Sequence, residues 1–250
     1  MMMKKNNYGR RTNNMGEIKK VLRSTGEVLE TVGNVELNEI AGEPFICVYG
    51  QVEPRRSGNQ ELIEKELASG LHAYVRFNTS EKVNQTIGEG QSGSFVATKQ
   101  ALEVFGMSES EVWEKAAENM KAIGMSFRSM IELEAEMMGF TREEFEQRFF
   151  KIDPEQELYV ASMKAHNGQH GAGVLAMPCM LEAIRESIGD FVIIPSSVHE
   201  IICIPPAIYM NRDIDELRAM VHEVNGTVLD AADVLSEDVY KFDAQGLSVI

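Results

Sequence analysis

Apolar positions recur along the chain in two rhythms. In LHAYVRF (Leu71 to Phe77) they alternate with polar ones, the period of a half-buried strand. Their β-branched and aromatic content makes PFICVYGQV (Pro44 to Val52), SFVAT (Ser94 to Thr98), LYVASMKA (Leu158 to Ala165), VLAM (Val174 to Met177), DFVIIP (Asp190 to Pro195) and HEIICIP (His199 to Pro205) further strands. A spacing of three and four marks helices. Val112, Trp113, Ala116, Ala117, Met120 and Ile123 share one face of Glu109 to Ile123, which makes the only tryptophan a core residue. Ile214, Leu217, Met220, Val221 and Val224 do the same over Asp213 to Val224. Further helices are expected over Gly16 to Val32, Asn59 to Leu67, Lys99 to Phe105 and Cys179 to Gly189, the last opened by Pro178. Ser108 with Glu111, Ser129 with Glu132 and Thr141 with Glu144 have capping-box spacing, and the latter two precede the helical runs MIELEAEMMG and REEFEQRFF. A closing element from Ala231 through Phe242 reads as helix followed by edge strand.

The connections are short, so neighbouring strands are expected to pair antiparallel. The fold class is α+β, mostly antiparallel sheet packed with amphipathic helices, without the strict alternation of a doubly wound Rossmann fold. Asp153-Pro154 is the best boundary, because the residue before proline is driven out of helical geometry. Three segments follow: a basic arm over 1–25, an N-terminal α+β region over 26–152 and a C-terminal α+β module over 153–250.

Charge alters the picture of the arm. The chain of 250 residues has 24 Lys+Arg against 39 Asp+Glu, a net −15. Residues 1–25 hold Lys4, Lys5, Arg10, Arg11, Lys19, Lys20 and Arg23 against Glu17 alone, so the arm carries +6 and the rest −21. A body this acidic is unsuited to nucleic acid or an anionic membrane, which leaves the arm as the one place for such a contact. After the opening methionines the arm has few apolar residues, so it is expected to be a flexible, solvated leader. It lacks the apolar centre of a secretory signal, and no run of about 18 apolar residues marks a membrane span. Cys47, Cys179 and Cys203 are odd in number, far apart and set in apolar surroundings, as buried free thiols in a cytoplasmic protein would be.

Several motifs are open to a chemical reading. Gly88, Gly90 and Gly93 match the dinucleotide pattern G-x-G-x-x-G, but a strand follows where a helix must open to receive pyrophosphate. No cofactor is expected. His199-Glu200-Ile-Ile-Cys203 imitates a zinc motif that requires a helix; in a strand its ends lie about 13 Å apart, too far for one ion. His166 and His170 flank a glycine turn without an evident third ligand, and are weak metal candidates. Ser196 and Ser197 beside His199, with Glu200 or Glu223 to orient it, could supply a nucleophile and base; on one strand Ser197 and His199 would lie about 7 Å apart at Cα. The competing account is a tight Pro195-Ser-Ser turn whose hydroxyls bond the local backbone.

The segment Leu158 to Pro205, with the Asn167-Gly168 turn, a Gly- and Ala-rich run to Pro178, Gly189-Asp190 and the phrase Ile194 to Glu200, resembles a family of uncharacterised bacterial proteins. The phrases Glu223-Val-Asn225 and Val234-Leu-Ser236 extend the likeness, as does ALEVFGMSESEVWEKAAENM, so that it covers roughly Ser94 to Asp243. That family is common in gut anaerobes and is often carried on their mobile elements. It brings no activity and no residue roles. The resemblance and the acidic body together imply a non-enzymatic, cytoplasmic accessory protein of a mobile element that works through a protein partner. The alternatives are a hydrolase using Ser196 or Ser197 with His199, and an acidic mimic of nucleic acid that blocks a DNA- or RNA-binding enzyme.

Overall fold

A computed structural model describes residues 31–32, 35–36, 41–55, 58–81, 84, 93–153, 156–164, 169–210, 213–227 and 229–250. The basic arm, most of the expected first helix, Gly88, Gly90 and His166 lie outside them. Thr31–Val32 and Val35–Glu36 form a minimal antiparallel pair, β1 and β2, so the first helix does not extend to Val32.

The described residues divide into two compact units, one within 31–45, 54–63 and 74–119, the other within 46–53, 64–73 and 120–250. Strands β3 (Ala41–Tyr49) and β5 (Leu71–Thr79) contribute residues to both. They belong to a four-stranded sheet with β4 (Glu64–Ala68) and β6 (Ser94–Val96), in the order β3, β5, β4, with β6 also on β5. The expected helix over Asn59 to Leu67 is therefore absent. Its Glu, Lys and Leu are good helix formers, but Ile63 bonds its backbone to Ala97 and Val75, and tertiary pairing overrides the local preference.

In the first unit β6 pairs antiparallel with β5, which brings Phe77, Phe95 and, from α1 (Lys99–Phe105), Phe105 together at ring distances of 5.4 to 6.1 Å. Thr98 caps α1 through its hydroxyl, and Gly106 ends it in the left-handed region. Helix α2 (Glu109–Ile123) begins at the Ser108–Glu111 capping box and buries Val112, Trp113 and Ala116, whereas Ile123 is exposed.

The second unit is built on a six-stranded antiparallel sheet. Its strands are β7 (Met125–Ser129), β8 (Tyr159–Met163), β9 (Phe191–Ser197), β10 (Glu200–Ile204), β11 (Tyr240–Asp243) and β12 (Gly246–Val249), in the order β12-β11-β9-β10-β8-β7. Helices α3 (Met130–Met137) and α4 (Arg142–Arg148) follow β7, and α5 (Pro178–Ile188), α6 (Pro206–Tyr209) and α7 (Ile214–Thr227) flank the later strands. Leu217 and Val221 of α7 pack with Val192 of β9 and Ile204 of β10.

Several expectations change here. β7 sits between two helices with no alternation strong enough to announce it. Residues 231–238 form turns rather than a helix, and β11 lies inside the sheet, with β12 as the edge. The strand expected over Val174 to Met177 is absent, and Gly171–Ala176 is a 3-10 helix: the Ala172 N–H reaches the carbonyl of Val198, and a Cβ on Gly171 would lie 2.1 Å from the His199 carbonyl oxygen. Only glycine allows that approach. Cys47 and Cys203 are buried, and burial pushes the Cys203 thiol up; Cys179, also expected inside, is exposed. Among the described residues no helix is long and apolar enough to cross a membrane.

Candidate functional site

The turn joining β9 to β10 carries the residues singled out for chemistry. Alternation along β9 buries Ser197 on the face of Ile193 and Pro195 and turns the half-buried Ser196 to the other face. The two hydroxyls therefore do not converge. Val198 and His199 form the turn, and Glu200, half-buried, opens β10 opposite Ser197. His199 is thus in the turn itself, where the chain has to reverse, and the expected separation along a single strand does not apply.

Three segments hold this turn. The Ser197 hydroxyl accepts the His199 backbone N–H at 3.0 Å, as in the local turn bonding expected for these serines. The Val198 N–H donates to the Asp233 carbonyl at 2.9 Å. The His170 backbone N–H donates to His199 Nδ1 at 3.2 Å, while Nε2 faces Asp233 Oδ1 at 3.5 Å. An Nδ1 that accepts a backbone hydrogen bond puts the ring proton on Nε2, directed at the Asp233 carboxylate. Both nitrogens are occupied by the protein, and neither is directed at a serine. His170 itself sits at φ 57°, the left-handed region, with its ring 6.4 Å from that of His199. Among the described residues no cluster of three or more His, Cys, Asp or Glu side chains could hold a metal ion.

Asp233 lies far from His199 in sequence, and no motif pointed to it. Two further features were also unannounced. One is a buried ion network: Glu157, 5% exposed at its side chain, accepts from the Ser129 hydroxyl, from Arg142 Nη1 at 2.8 Å and from the Tyr159 hydroxyl at 3.3 Å. Ser129 precedes α3 without capping it, because its hydroxyl is turned to Glu157. Arg142 also binds Glu146 at 2.9 Å, and these hydrogen bonds raise its already high pKa; burial, reinforced by Glu157, raises that of Tyr159. The network ties α4 to the start of α3 and the segment entering β8.

The second feature is what the α3–α4 pair exposes. Ile131, Ala135 and Phe145 form its small core, with Phe140 and Ile152 against it. The Thr141–Glu144 capping box starts α4, and its hydrogen bonds from Thr141 lower the Glu144 pKa. Met137 is 88% exposed, and Met138, Phe149 and Phe150 are about half exposed. Glu134, Glu136, Glu143 and Glu144 are exposed on the same two helices. The pair thus leaves four large apolar side chains in water at and just beyond its helix ends, on a region where Glu136 is paired with Arg128 and Arg148 lies over the Phe140 ring at 5.2 Å.

Residues 73–244 match the model of a family described as a family of unknown function, DUF5688. No curated protein and no solved structure matches the chain.

Proposed function

The chain belongs to this family of unknown function, and, since the family brings no activity with it, we propose that the protein is a non-enzymatic interaction protein whose α3–α4 pair docks a partner. The observation that carries the reading is the exposure of Met137, Met138, Phe149 and Phe150 on a helix pair fixed to its unit by the buried Glu157–Arg142 network. Large apolar side chains left in water on a well-anchored element mark an interaction surface. Glu134 and Glu143, exposed on the same two helices, favour a partner whose contact carries lysine or arginine. The β9–β10 turn supports the same reading: His199 is held at both nitrogens and the Ser197 hydroxyl is engaged with the backbone, so the hydrolase alternative lacks a free base beside its nucleophile. The resemblance to proteins carried on mobile elements supports a cytoplasmic accessory role there.

The test is cross-linking and affinity capture from the native host with the unaltered chain, with a Met137→Ser/Phe150→Ser variant and with a chain lacking residues 1–25. A basic-faced partner lost with the double variant is the expected result. Retention of the same partner by the double variant, and its loss with residues 1–25, would move the docking function to the arm. A broad hydrolase screen in which the unaltered protein is active and a His199→Ala variant is not would overturn the non-enzymatic reading.

A further inference from the structure

The second unit contains a cavity of about 540 Å³ beside α6 and α7. Its origin is legible from the elements that surround it. Ile194 and Ile202 are cross-strand partners on β9 and β10, and both turn to the face that α7 covers. The cover is incomplete, because α6 is a single turn and α7 buries only Leu217 and Val221 fully. Ile194, Ile202 and Ile208 consequently remain only partly buried and line open space. Met220, 48% exposed, and the exposed Gln156 stand at its rim. Native interiors leave few gaps larger than a water molecule, so a space of this size is not a packing imperfection. It falls within the range of about 300–1,000 Å³ typical of small-ligand sites.

The lining states what would fit. Among the described residues it consists of aliphatic and thioether side chains with one amide, that of Gln156, and it has neither an aromatic ring nor a charge. Stacking of a planar ligand and the aromatic caging of a quaternary ammonium therefore have no basis here. Among the described residues of the wall a carboxylate head would meet no cation, and it would approach a chain of net −15. We infer that this cavity binds an uncharged amphiphile with a single alkyl chain, of the fatty-alcohol or monoacylglycerol class, with the chain against Ile194, Ile202 and Leu217 and the hydroxyl at Gln156. The inference does not rest on the docking role of α3–α4: Met130, the first residue of α3, lines the cavity, whereas Met137, Met138, Phe149 and Phe150 do not.

Isothermal titration calorimetry of the full chain with dodecanol below its aggregation limit tests it, alongside dodecanoate and dodecyltrimethylammonium as charged probes. Dodecanol should bind saturably and more tightly than either ion by about tenfold or more. Octanol, with four methylenes fewer, should bind about a hundredfold more weakly if the chain is buried. Ile202→Asp sets a carboxylate against the alkyl chain and should abolish binding. Should that variant fail to fold, Met220→Glu, a change at a half-exposed rim position, should weaken dodecanol binding about tenfold. No saturable uptake of dodecanol, equal binding of dodecanoate, or unchanged affinity in both variants would overturn the inference.

Discussion

The β9–β10 turn and the α3–α4 helix pair invert the roles that their residue types advertise. The turn is rich in groups that do chemistry, two serines, a histidine and a glutamate, yet Ser197 and His199 are spent on backbone and on Asp233. The helix pair has the ordinary composition of an amphipathic surface element, yet it leaves Met137, Met138, Phe149 and Phe150 in water. A polar side chain signals function when its hydrogen-bonding capacity remains available, and an apolar one when its surface does. Neither condition can be read from residue type.

The sharpest way to break this contrast is to cut the helix pair from its anchor. Arg142→Ala leaves the Glu157 carboxylate buried without its cation, and should cost about 3 kcal/mol in urea unfolding. Glu157→Gln, which keeps hydrogen bonds without the charge, should cost clearly less. The turn should be nearly as sensitive to a change that removes no polar group: Gly171→Ala drives a methyl into the His199 carbonyl and should cost about 2–3 kcal/mol, read as a lower Tm. Removing the apparent base itself should matter less. His199→Ala loses one hydrogen bond and a 3.5 Å contact with Asp233 at a half-exposed site, and about 1 kcal/mol is expected, with no change in any measured turnover. Phe150→Ser on the helix pair should alter stability by no more than about 0.5 kcal/mol while weakening partner capture, the reverse of the pattern at the turn.

The smallest effect expected is on acidification. Hydrogen bonds from Ser108 and Thr141 hold the Glu111 and Glu144 carboxylates below their ordinary pKa. A lowered folded-state pKa gives stability that is complete above the unfolded carboxylate range, about pH 4, and is lost as pH falls through the folded value. Amide exchange should therefore show the first turns of α2 and α4 fraying on acidification, while the first turn of α1, capped by the neutral Thr98 hydroxyl, stays protected. Equal loss of protection at both places would erase the distinction.

Much of the fold was legible because its signals were local. Alternation announced β5, β-branched and aromatic content announced β9, three-four spacing announced α2 and α7, and two of three capping boxes form as spaced. The third fails for a non-local reason: the hydroxyl of Ser129 prefers Glu157. Gly171–Ala176 has no hydrophobic period, so nothing in it distinguished a 3-10 turn from a strand until the His199 carbonyl came within a glycine's reach. Asp233 at the turn and the space between Ile194 and Leu217 depend on which distant segments meet. Spacing along the chain carries no record of that.

The placement of β11 bears on how the second unit comes into being. β9 leaves the ribosome well before β11, the strand that covers its free edge, has been made. Until then β9 can pair on one side only, through β10, and its other edge offers open backbone groups and apolar side chains to any nascent chain nearby. Completion of the sheet is consequently a late, non-local event, of the kind that slows folding. A translation product stopped in the turns before Tyr240 would keep that edge exposed and should be a preferred target for chaperones and proteases.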